Sequence, residues 1–236
     1  MNKKLKIALL LIFALAGFVQ AQQRPENVAI GDIFCSNGDI LMPDEYTAAG
    51  RTDGIGVVFY VDGTGQHGWI TYYQHSSSSL KWAANPPYHA TGVNFYEKTR
   101  VPSDASKSLI KDLDGKGNTA EIVNEPDYSE ANYPACYYAT HVVDDGNWYL
   151  PAAGQLNFMY AYTPVLNASL EKISGYNPIL NNTTSANGSG GNNYWSSDEY
   201  GTTVSGETKA WYILYNGNFE NKLKSTSYPV RAVRDF

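Results

Sequence analysis

The spacing of apolar positions changes along this chain, and each spacing predicts a different kind of element. Residues 31–35 and 39–41 are short apolar runs on either side of Ser36-Asn37-Gly38. Asn-Gly accommodates the positive φ values of a tight turn, so the pattern predicts a hairpin. Residues 55–61 and 68–73 are β-branched and aromatic around a turn-like stretch at 62–67, which predicts a second hairpin. From Gln74 to Val101 the chain is polar, with serines at 76–79, Pro86-Pro87 and little periodicity. That stretch is predicted as a long loop, its exposed Trp82, Tyr88, Phe95 and Tyr96 lying over the domain.

The middle of the chain changes to helical spacing. Trp148-Tyr149-Leu150 runs into Pro151, whose fixed φ and missing N–H suit a first helical turn, so a helix should begin near Ala152. Leu156, Met159 and Tyr160 then fall at i, i+3 and i+4 and form a core face, with Gln155 and Asn157 pointing elsewhere. Residues 131–142 are helical by content. Thr163-Pro164 opens a further helix whose face is Leu166, Leu170 and Ile173, stopped by Ser174-Gly175. A low-complexity Asn/Gly/Ser/Thr tract at 177–193 leads to the last sheet.

That sheet is predicted in three pieces, 194–197, 210–215 and 228–234, with Asn216-Gly217 as a turn after the second. Alternation along the second puts Trp211, Ile213 and Tyr215 on one face and Tyr212, Leu214 and Asn216 on the other. Val230 and Val233 do not alternate, which suggests a bulge or twist near Arg231. Strands first, helices in the middle and strands last is an α+β order, with N- and C-terminal strands meeting in an antiparallel sheet beside two or three central helices.

Export follows from the first residues. Lys3, Lys4 and Lys6 precede an apolar run at 7–19, and Val19-Gln20-Ala21 has the small-x-small pattern of a cleavage site. Residues 1–21 are read as a signal peptide and 22–236 as one domain, secreted, periplasmic or at the cell surface. No later run approaches the ~20 apolar residues of a membrane span, so no membrane insertion is expected after cleavage. Loss of the leader's three lysines leaves 14 basic against 23 acidic side chains, a formal charge of −9. That field disfavours nucleic acid as a partner.

Two small constellations carry candidate chemistry. In an oxidising compartment Cys35 and Cys136 are expected to pair as a disulfide, with two free buried thiols as the other reading. Asp112, Asp114 and Asn118 around Gly115 suggest a calcium loop, calcium being the one cofactor considered. The glycine and the twelfth position depart from the EF-hand spacing, so the alternative is a turn in which Asn118 or Thr119 caps a helix at 120–124. Asp62-Gly63-Thr64-Gly65 lacks the Lys-Ser/Thr ending of a phosphate loop.

The order of motifs also resembles a known family. Trp148-Tyr-Leu-Pro151 with Leu156, Tyr194-Trp-Ser-Ser197 with Glu199, Ala210-Trp211, Gly217, Lys222 and Val230-Arg-Ala-Val-Arg234 are similar to the exported domain at the C-terminus of Legionella collagen-like adhesin. Similar modules occur in surface proteins of gut Bacteroidetes, within the C-type lectin-like fold shared with formylglycine-generating enzymes. The resemblance implies a lectin-like scaffold with its ligand surface on the C-terminal sheet. In variable relatives the changing positions map here onto Asp198, Tyr200, Tyr212, Leu214, Asn216, Asn218, Glu220 and Asn221. The acidic charge departs from the sulfated-glycan ligands of the adhesins, and Cys35 and Cys136 do not match the reactive cysteines of the enzymes.

Catalysis has little support in the sequence. There is no Gly-x-Ser-x-Gly, no His-Glu-x-x-His and no paired cysteine ligands, and His67, His75, His89 and His141 lack metal spacing. Adjacent carboxylates such as Asp198 and Glu199 point to opposite sides of a strand and cannot flank one glycosidic bond. The 19 tyrosines, with Trp, Asn, Ser and Gly, suit a recognition surface, because aromatics give contact area at low entropy cost. The expected function is a non-catalytic recognition or adhesion module for a glycan or a surface protein. The alternative is a structural cell-surface or pilus-associated subunit.

Overall fold

The computed structural model describes residues 27–84, 109–179, 193–200 and 209–236. The predicted signal peptide, Tyr88, Phe95, Tyr96 and most of the Asn/Gly tract lie outside the described residues. Within them the protein is a mixed α and β structure of five helices and antiparallel sheets.

The first hairpin forms as predicted, from β1 (Ile33–Cys35) and β2 (Ile40–Leu41), with Gly38 at φ 91° in its turn. The second is β3 (Gly54–Val61) and β4 (Gly68–Tyr72). Between them a short helix, α1 (Pro43–Ala48), starts on a proline and buries Tyr46, whose hydroxyl accepts the Gly54 N–H at 3.1 Å. The last strand, β11 (Val233–Asp235), inserts between β4 and β6 (Trp148–Tyr149), giving a six-stranded sheet in the order β2-β1-β3-β4-β11-β6. The two ends of the chain therefore share one sheet, as the α+β order implied.

Both faces of that sheet are covered, because side chains one residue apart along β3 enter different cores. Val57 and Phe59 join Leu156 and Met159 of α4 (Ala153–Ala161) and Leu166 and Leu170 of α5 (Thr163–Leu170). Val58 and Ile70 join Ile122 of α2 (Gly115–Val123) and Ala135, Cys136 and Ala139 of α3 (Pro134–His141). Cys35 belongs to the first cluster and Cys136 to the second, so the expected disulfide is not formed. The sheet stands between the two thiols, and burial pushes them up to about 11 and about 12, which keeps them protonated.

Three further expectations change. Tyr160 is 37% exposed and outside the core, while Gln155 is buried, accepting the Ala152 N–H and donating to the Tyr149 hydroxyl. Trp82 is buried rather than exposed: it follows β5 (Leu80–Lys81), which pairs with β10 (Ser227–Tyr228), and its indole N–H donates to the Ser196 carbonyl at 2.9 Å. The last sheet is β7 (Tyr194–Tyr200), β8 (Lys209–Ile213) and β9 (Phe219–Leu223), so its third strand is a polar segment without an apolar signature. Residues 229–232 cross from β10 to β11. Arg231, wholly buried there, donates to the carbonyls of Tyr72 and Asn177.

Among the described residues no helix is long and apolar enough to cross a membrane.

Candidate functional site

The ligand face expected on the C-terminal sheet is only partly at the surface. Tyr212 does oppose Trp211 across the strand, but both are buried, at 2% and 6% exposure. The Tyr212 ring stacks on Tyr228 at 4.3 Å and meets Trp195 edge-on at 5.7 Å, while Trp211 packs on Leu109 and Ala153. The Tyr212 hydroxyl donates to Glu220 Oε2 at 2.8 Å, directly across the β8–β9 ladder. Alternation holds within β8, where Tyr212 joins a different cluster from Trp211 and Ile213, but the strand ends at Ile213 and Tyr215 and Asn216 lie in the turn; the face expected to be free is covered at Tyr212 by Tyr228 of β10 and by its cross-strand neighbour Trp195.

Asp198 is also sealed, at 0% exposure, and is corrected from a ligand position to a structural one. Its Oδ2 accepts the Ala153 N–H at 2.8 Å at the start of α4, and its Oδ1 has no hydrogen-bond donor among the described residues. Burial, and then the charge of Asp112, push this carboxyl well above its ordinary range. The remaining candidates stay at or near the surface. Tyr200 is half-buried with its ring edge-on to Trp211 at 5.1 Å, and Leu214 and Asn221 are half-buried. Asn216, Asn218 and Glu220 are exposed. Asn216 Oδ1 holds the Asn218 N–H at 3.1 Å, and Gly217, at φ 84°, lies against the Tyr160 ring where a Cβ would not fit. What the sheet presents is thus a small polar hairpin tip.

The candidate calcium residues form a helix cap. Asp114 Oδ1 accepts the Gly117 N–H at 2.8 Å at the start of α2, five residues earlier than the predicted helix. Asp112 accepts the Asp114 N–H at 2.9 Å and the Asn118 amide nitrogen at 3.3 Å. Asn118 also directs that nitrogen to Ser197 Oγ at 3.1 Å, so a donor points where a cation would need an oxygen. Asp112, Asp114 and Asn118 do not fit a calcium ion in this arrangement. Among the described residues no three His, Cys, Asp or Glu side chains converge as a metal site.

The sequence reading missed the surface around α3. Its proline start sets a helix in which Tyr137 and His141 fall at i and i+4. Their rings stack at 3.9 Å and 12°, and His141 Nδ1 lies 2.8 Å from the Tyr137 carbonyl. The same nitrogen lies 3.0 Å from Thr140 Oγ1. One cavity, about 280 Å³, lies on one side, lined by Ser76, Ser77, Leu80, Glu130, Tyr137, Tyr138 and His141 among others. A second, about 350 Å³, lies on the other side and includes Tyr128, Thr140, Trp148 and again His141. His141 belongs to both walls.

Chemically, this pair of clefts offers aromatic faces, hydroxyls, the Glu130 carboxylate, the Lys116 ammonium and the Asn147 amide. Burial pushes the Tyr138 phenol up to about 12, so it remains a neutral donor and acceptor at physiological pH. The spacing of Tyr137 and His141 was readable from the sequence. Ser76 and Glu130 reach the same cleft only through tertiary folding. No family model matches the chain, and no curated protein matches it by sequence.

Proposed function

We propose that this protein is an exported, non-catalytic recognition module on a C-type lectin-like scaffold, binding glycans through the two clefts beside α3. The observation that carries this reading is the Tyr137–His141 stack, which lines a cavity of about 280 Å³ and whose His141 also lines a second of about 350 Å³. Sugar rings present C–H faces that pack on aromatic rings and hydroxyls that need mixed donors and acceptors. Ser77, Glu130, Tyr138 and Thr140 supply such groups along the ridge. The C-terminal hairpin, with Tyr212 and Asp198 in the interior, keeps too little aromatic surface to be the principal contact. The sequence motifs similar to the adhesin family support export and the lectin-like scaffold.

A glycan array probed with the protein from residue 22 onward tests this. Binding to a defined set of glycans, with the protein monomeric by light scattering, is the expected result. Silence across the array, together with self-association, would instead support a structural subunit.

A further inference from the structure

The C-terminal sheet has an open edge. In the order β7-β8-β9, β9 has a hydrogen-bonded neighbour on one side only, among the described residues. The ladder fixes which of its main-chain groups face outward. Leu214 N–H donates to the Asn218 carbonyl at 2.8 Å, and hydrogen-bonded pairs alternate with non-bonded ones along an antiparallel ladder. Residues 220 and 222 therefore turn their N–H and C=O toward β8, while those of Phe219, Asn221 and Leu223 point away from it. Leu223 is 49% exposed, Glu220 and Lys222 are exposed, and Asn221 is half-buried.

Charged side chains on an edge commonly keep a second strand away. Here the two charges are of opposite sign and flank Asn221 symmetrically, in the order Phe219-Glu220-Asn221-Lys222-Leu223. An antiparallel copy of the strand centred on Asn221 sets Glu220 opposite Lys222 of the other copy and Phe219 opposite Leu223, twice over by symmetry. That register also brings outward-facing main-chain groups together, Asn221 with Asn221 and Phe219 with Leu223. A shift by one residue loses this match, and a shift by two sets Glu220 against Glu220 or Lys222 against Lys222. The Tyr212 hydroxyl already holds Glu220 Oε2 at 2.8 Å, which leaves Oε1 for the incoming ammonium.

We propose that β9 pairs with β9 of a second copy of this chain, antiparallel and centred on Asn221, so that two three-stranded sheets become one. A five-residue strand pair is a small interface of the weak, transient class, with a dissociation constant of about 0.1–1 mM. The chain is then monomeric at the micromolar concentrations of a glycan array and pairs where copies are crowded on one surface at millimolar effective concentration. The pairing does not depend on what the clefts beside α3 bind.

Sedimentation equilibrium of the chain from residue 22 onward, from micromolar concentration to about 2 mM, tests this. A monomer that passes to a dimer across that range is the expected result. Lys222→Glu sets like charges opposite each other, and Asn221→Pro removes an outward N–H that β8 does not use. Each should weaken the dimer about tenfold or more with circular dichroism unchanged. The double variant Glu220→Lys/Lys222→Glu again places opposite charges across the axis and should recover the parent's dimerisation. No dimer at about 2 mM overturns the inference, and so does a dimer that survives Lys222→Glu or Asn221→Pro. A folded double variant that stays monomeric overturns the register; if that variant loses its fold, the two single variants decide.

Discussion

The C-terminal hairpin and the surface around α3 are built from the same residue types, and the fold treats them in opposite ways. In β8 the aromatic side chains are covered on both sides, Trp211 by Leu109 and Ala153, Tyr212 by Tyr228 and Trp195. Around α3 the rings of Tyr128, Tyr137 and His141 stay at cavity walls, where only part of each is covered. Aromatic content along a stretch therefore does not identify a ligand face. What decides is whether a second element packs over the rings, as β10 does through Tyr228 for Tyr212 and Trp195.

The largest effect expected from breaking this contrast comes from the ion pair at the base of the hairpin. Lys224 Nζ meets Glu199 Oε1 in full burial and lies 4.7 Å from the Trp82 ring centre. Lys224→Met leaves a buried carboxylate without that partner and should cost about 3–5 kcal/mol in urea unfolding, with part of the loss recovered in the Lys224→Met/Glu199→Gln double variant. A loss below about 1 kcal/mol would contradict the burial described.

Comparable in size, and closer to the contrast itself, is a matched pair of tyrosine truncations. Tyr212→Ala empties a packed interior site and should destabilise by about 3–5 kcal/mol. Tyr137→Ala removes a half-exposed ring and should cost about 1 kcal/mol or less while abolishing glycan binding. Chemical denaturation of the two variants side by side checks the order, and equal losses would erase the distinction between the regions.

A smaller effect sharpens the account of Asp198. Its carboxyl is raised in the folded state, so between the ordinary carboxylate value and its raised one the native protein holds a proton that the unfolded chain has released. Its contribution to stability is complete below about pH 4 and is lost as pH rises through the folded value. Asp198→Asn keeps an acceptor for the Ala153 N–H and offers a donor toward Asp112. It should raise stability at pH 7 by about 1–3 kcal/mol, with the gain shrinking toward pH 4. A gain independent of pH, or a loss, would contradict this reading of the Asp198 carboxyl.

Much of the framework was legible because local chemistry and tertiary packing agree. Asn37-Gly38, the runs at 55–61 and 68–73, the second one residue longer than its strand, and the Thr163-Pro164 start all became the elements they predict. The polar strand β9 was not legible: it forms because β8 offers it a ladder, from Lys209 opposite Leu223 to Ile213 opposite Phe219. Trp82 sits in a polar stretch, and only Lys224, Tyr133 and the Ser196 carbonyl, all distant in sequence, explain its burial. The site divides the same way. The i, i+4 stack of Tyr137 and His141 is written in the helix, whereas the cavities on either side depend on Ser76, Glu130 and Trp148 being brought together by the fold.

The central claim is that ligand contact lies at the α3 ridge and not at the hairpin tip. The direct measurement is binding of one array-identified glycan to two folded variants, Tyr137→Ala and the triple Asn216→Ala/Asn218→Ala/Glu220→Ala. The account predicts that the first loses binding by a hundredfold or more, about 3 kcal/mol, and that the triple variant binds like the parent protein. Loss of binding in the triple variant with Tyr137→Ala unaffected would contradict it and return the ligand face to the C-terminal sheet.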